Sequence, residues 1–98
     1  MMNFMYDFAA DARDRELADQ LIAAAGEMKG VAAKTIPQFY RAGEWAQAGI
    51  EALCLAYEQG RPMPQSLVKE ALSRWLEDMG QDTAELIVQI PDRELVPA

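Results

Sequence analysis

The chain has 98 residues, about one domain's worth, and with 51% apolar and 26% charged side chains it reads as globular rather than disordered. It contains no histidine, which excludes an imidazole base, a Ser-His-Asp triad and a histidine metal site, and its single cysteine, Cys54, excludes an internal disulfide or a thiolate zinc cluster. Sixteen acids against nine bases give a formal charge of −7, which opposes direct contact with nucleic-acid phosphates or an anionic membrane and suits a soluble protein or one steered toward a basic partner.

No apolar run approaches the roughly 18 residues of a membrane span. Met1–Asp7 has neither the basic start nor the apolar stretch of a signal peptide, so a cytoplasmic location is expected. The first helix is expected over about 4–28. Leu17, Leu21, Ala24, Ala25 and Met28 fall at helical spacing, with Ile22 beside them. Asp7, Asp11 and Asp14 lie early, where the helix dipole favours negative charge, and Gly26 and Gly30 mark the C-terminal end. The polar run Arg13–Glu16 suggests a late start or a bend.

The second helix is expected over 36–59, opened by a capping box of Thr35 and Gln38 and stopped by Gly60. Phe39, Gly43, Ala46, Ile50, Leu53 and Tyr57 make its apolar stripe, widened by Cys54, while Glu44, Glu51 and Glu58 recur every seven residues on another face. Gly43 and Gly49 would each cost about 1 kcal/mol inside a helix relative to alanine. With Ala42, Ala46, Ala48 and Ala52 they fit a tight helix crossing within the monomer, a groove for a partner helix, or a kink.

Gly60-Arg61-Pro62-Met63-Pro64 forms a turn, and Pro64 opens a third helix over 64–79 with Leu67, Val68, Ala71, Leu72, Trp75, Leu76 and Met79 on its apolar face and Gly80 as its stop. A short fourth helix is expected over 83–90, capped by Asp82 with Glu85. The β-branched run at Leu86–Ile90 would also suit a strand, but the chain offers no second strand to pair with it. Pro91 ends the segment and leaves an extended tail, 91–98. The expected fold is all-α: a single domain, a compact bundle of three main helices, a shorter fourth and a tail.

Little here points to chemistry. Most acids stand at helical spacings beside bases, as in Arg41 with Glu44, Arg74 with Asp78 and Arg15 with Asp19, which reads as a solvated surface rather than a carboxylate pair in a cleft. Cys54 has Glu51 and Glu58 nearby, which disfavours a thiolate, and a buried core cysteine is expected. The segments around Gly80 are spaced like a helix-turn-helix, but Thr83–Ile90 carries no lysine or arginine to read a major groove. No metal site or cofactor is expected, and no enzymatic activity.

The expectation is therefore a small, acidic, non-enzymatic protein-binding module, such as a phage-type inhibitor, an immunity protein or an antitoxin-like neutraliser. It would occupy a basic surface on a partner protein, such as one that handles nucleic acid, where carboxylates stand in for phosphates. Its candidate contact residues are Glu44, Glu51 and Glu58, Asp7, Asp11 and Asp14, and the aromatics Trp45, Phe4 and Tyr6. Two alternatives stand beside it: a structural homodimer, joined through the small-residue surface or the Phe4–Phe8 cluster, and a small-molecule binder with Tyr40, Tyr57 and Trp75 around a pocket.

Overall fold

The computed structural model describes residues 8–26, 30 and 34–95. They form five α-helices: α1 (Phe8–Ala25), α2 (Thr35–Arg41), α3 (Trp45–Glu58), α4 (Gln65–Arg74) and α5 (Leu76–Ile87), followed by a 3-10 turn at Arg93–Leu95. No named strand occurs among the described residues. No helix among them is long and apolar enough to cross a membrane.

The span expected as one helix from 36 to 59 is two helices. At its centre Gly43 has φ +78°, the Glu44 N–H donates to Phe39 O at 2.9 Å and the Gly43 N–H to Tyr40 O at 3.1 Å. This crossed pair is a Schellman closure, and the same pair of bonds recurs at Gly60, from Arg61 N–H to Ala56 O and from Gly60 N–H to Tyr57 O. Gly43 is thus a helix stop like Gly60, made possible by the left-handed conformation that glycine adopts without a Cβ penalty. The N-cap of α2 is Lys34, with Thr35 as the first helical residue, so the capping-box register is displaced by one.

The 64–79 span also divides. Trp75 has φ −118° and ψ 19°, outside the helical range, and joins α4 to α5. Pro64 occupies the N-cap of α4, where its carbonyl accepts from the N–H groups of Leu67 and Val68. Gly80, the expected stop, is a kink within α5 at φ 82° and ψ 160°. The ambiguous Leu86–Ile90 run is helical through Ile87 and then turns. The described part of the tail, 91–95, is held against the turn before α4: Met63 N–H donates to Pro91 O at 3.0 Å and Arg93 N–H to Met63 O at 2.9 Å.

Helix α3 is the hub and touches α1, α2, α4 and α5. The main core gathers Leu17 and Leu21 from α1, Ile50 and Leu53 from α3, Met63, Val68, Trp75, Ile87 and Ile90. A second cluster of Ile36, Ala48, Ala52 and Leu55 joins α2 to the opposite side of α3. Gly49 lies under the indole of Trp75, and a Cβ built on it would stand 2.5 Å from Trp75 Cζ3. Ala48, Gly49 and Ala52 are buried and serve packing inside the monomer.

The polar run Arg13–Glu16 lies within an uninterrupted α1, and its first two residues reach α4. Arg13 Nε donates to Glu70 Oε2 at 2.6 Å, and Arg13 Nη2 bonds Glu70 Oε1. One turn further along α4, Arg74 Nε donates to Asp14 Oδ1 at 3.0 Å, and the Trp75 indole Nε1 donates to the same oxygen at 3.0 Å. At the far end of α1, Arg61 donates to the Ala25 carbonyl, placing a cation on the negative end of the helix dipole.

Candidate functional site

Four of the expected contact residues meet at one place. Asp11 and Asp14 of α1, Glu44 at the N-cap of α3 and Trp45 line an open cleft of about 410 Å³ together with Gly43, Ala46, Gln47 and Asp78 of α5. Its charged lining residues are all carboxylates. They are not equivalent. Asp14 is paired with Arg74 at 2.9 Å and braces Trp75, so its charge is compensated. Asp11, Glu44 and Asp78 make no salt bridge among the described residues, which leaves the cleft net negative.

Trp45 packs toward the first helix. Its ring meets Tyr40 edge-on, centroids 4.9 Å apart, and the Arg15 guanidinium lies 5.2 Å from its centroid. Arg15 Nε also donates to the Tyr40 hydroxyl at 3.3 Å, and that bond, with the charges of Asp19 and Asp11 adding, raises the Arg15 pKa. Arg15 is thus held by two aromatic faces as well as by the expected Asp19 attraction.

Glu51 and Glu58 lie farther along α3 and flank Cys54. Burial pushes the Cys54 thiol pKa up, and the two carboxylates push it further. The thiol is half-buried rather than sealed in the core. Beside it, Cys54, Tyr57 and Glu58 of α3 and Thr83, Leu86 and Ile87 of α5 enclose a notch of about 130 Å³ with a mainly apolar lining. Leu86 is 45% exposed at its edge.

A third concavity of about 380 Å³, which the sequence pattern did not reveal, runs between α1 and α2. Ile22, Ala23, Ile36, Pro37 and Tyr40 line it, with Asp19 and Arg41 at its margins. Tyr40 and Tyr57 line different concavities and Trp75 is 1% exposed, so the three aromatics do not share a pocket. Phe4, Tyr6 and Asp7 lie outside the described residues. Among the described residues, no group of three acidic or cysteine side chains is placed to hold a metal ion. Comparison with family models, with curated proteins and with solved structures gave no significant match.

Proposed function

We propose that this chain is a non-enzymatic protein-binding module, an inhibitor or neutraliser that presents carboxylates to a basic surface of its partner. The observation that carries the reading is the cleft in which Asp11, Glu44 and Asp78, from three different helices, converge without a compensating salt bridge. Carboxylates gathered this way attract a lysine- or arginine-lined surface from a distance and set its orientation on arrival. A partner built to hold nucleic acid offers such a surface, with these acids occupying phosphate positions.

The test is kinetic. The partner is isolated by affinity capture, purified, and its association with this chain followed by stopped flow from about 20 to 200 mM salt. The reading predicts an association rate that falls at least tenfold over that range and falls again when Glu44, Glu51 and Glu58 are changed to lysine. A rate indifferent to both would remove the electrostatic mechanism.

A second reading, a homodimer, is favoured by the α1–α2 groove. Its apolar floor carries Asp19 on one helix and Arg41 on the other. A two-fold pairing that sets Asp19 of each copy against Arg41 of the other would be self-complementary in charge. Sedimentation at micromolar concentration, with Ala23→Glu as the disrupting variant, separates the two: a strict monomer eliminates the dimer.

A further inference from the structure

Helix α5, kinked at Gly80, packs along α3. The acidic cleft joins Glu44–Gln47 to Asp78 near the start of both, and the apolar notch joins Cys54–Glu58 to Thr83–Ile87 near the end of both. Between Trp45 and Glu58, and between Leu76 and Ile87, there is not one lysine or arginine. The described bases stand elsewhere: Arg13 and Arg15 on α1, Arg41 on α2, Lys69 and Arg74 on α4, with Lys34, Arg61 and Arg93 in the connections. The seam of α3 and α5 therefore carries Glu44 and Asp78 at the cleft and Glu51 and Glu58 beside Cys54, and at its far end it has an apolar hole sized for a single aliphatic side chain.

We infer that this seam is the docking groove for a basic amphipathic segment of a partner protein, with one leucine- or methionine-like side chain in the Cys54–Tyr57–Leu86 notch and lysines or arginines over the flanking carboxylates. The inference rests on the protein-binding reading above and specifies where and how that binding occurs. Two features select the occupant. A second copy of this chain would bring its own acids against these, which like-charge repulsion opposes. A purely ionic ligand would leave exposed Leu86 and the notch unfilled, whereas an apolar anchor ringed by charge is how a helix seats in a groove. From Glu44 to Glu58 the helical rise is about 21 Å, so the matching segment is about 14 residues if helical.

The test uses the full chain, isotopically labelled, and two synthetic probes of that length, one of lysine and leucine with helical periodicity and one with every leucine replaced by alanine. The leucine probe is expected to shift the amide resonances of Glu51, Cys54, Glu58, Thr83 and Leu86 and to bind about tenfold more tightly than the alanine probe. Leu86→Ser should remove most of that difference. Glu51→Gln with Glu58→Gln, which keeps side-chain volume while removing the carboxylates beside Cys54, should weaken both probes and flatten their salt dependence. Shifts confined to Asp11, Asp14 and Glu44, or equal binding of the two probes, overturn the seam while leaving an acidic protein-binding module in place. No binding of either probe at low salt overturns both.

Discussion

The sharpest consequence of the packing concerns Gly49. In an exposed helix, Gly→Ala stabilises by about 1 kcal/mol. Here the new methyl would lie 2.5 Å from Trp75 Cζ3, 2.6 Å from Cη2 and 3.4 Å from Leu21 Cδ1. The indole has little room to retreat, being 1% exposed and tied to Asp14 through Nε1. Overpacking of this kind costs about 1–3 kcal/mol, and straining a hydrogen bond to a carboxylate adds about 1–2 kcal/mol. Against the propensity gain, the net loss is about 2 kcal/mol, which for a domain of this length lowers Tm by about 8–16 °C. Thermal and urea unfolding followed by circular dichroism give the number. The decisive comparison is the same substitution in a Trp75→Phe background. Phenylalanine lacks the fused ring that carries Cζ3 and Cη2, so Gly49→Ala should there be neutral or stabilising. A Gly49→Ala protein as stable as the parent would refute the packing argument.

Three further outcomes follow from the polar contacts. Asp14→Ala removes the acceptor for both Arg74 and Trp75 and should cost about 2 kcal/mol in urea unfolding, whereas Asp14→Asn, which keeps an acceptor for the indole, should cost less than half of that; equal losses would mean that the Trp75 bond contributes nothing. Glu70 is held below the usual glutamate pKa, first by its hydrogen bond from Arg13 and then by the charges of Arg13 and Arg74, against opposing burial. A carboxyl whose folded pKa is depressed contributes stability that is complete above the unfolded value near about pH 4.3 and is lost as pH falls through the lower folded value. The stability gap between the parent and Glu70→Gln should therefore close on acidification below that point, and a gap constant from pH 6 to pH 3 would contradict the linkage. Finally, the raised thiol pKa of Cys54 makes its reaction with a disulfide reagent at pH 8 slower than in the urea-unfolded chain. Glu51→Gln with Glu58→Gln should shift its pH–rate profile to lower pH, and an unmoved profile would show that the two charges do not reach the sulfur.

Helical content, the apolar faces and the stops at Gly26 and Gly60 follow from periodicity and glycine placement, both local properties. Gly43 shows where local reading ends. The spacing Phe39–Gly43–Ala46 fits an uninterrupted stripe, and a glycine inside a helix looks the same in sequence as one that closes it; the choice is made when α2 packs its Ile36 against Ala48, Ala52 and Leu55. Trp75 is a similar case, an apolar position on a regular stripe that proves to be the corner between two helices. The acids divide along the same line. Asp14 has the spacing of a surface residue, yet its partners arrive from 60 and 61 positions away. The absence of bases from α3 and α5 is plain in the sequence, but only the fold sets those two helices side by side.

That arrangement also explains how so much charge of one sign can be carried at little cost. Carboxylates near bases on α1 and α4 are compensated, as Arg13–Glu70 and Arg74–Asp14 show. Along α3, Glu51 and Glu58 are two helical turns apart, about 10 Å, beyond the Debye length of about 8 Å at physiological ionic strength. Their mutual repulsion in water is then only about 0.1 kcal/mol after screening. A cation midway between them would stand about 5 Å from each and gain about 0.4 kcal/mol from each under the same conditions. The heptad spacing is thus close enough for one basic side chain to engage two acids and wide enough that the acids scarcely oppose one another in the free protein. Repeated from Glu44 to Glu58, it favours a partner whose cations recur at the same interval, which is the period of a helix laid along the seam.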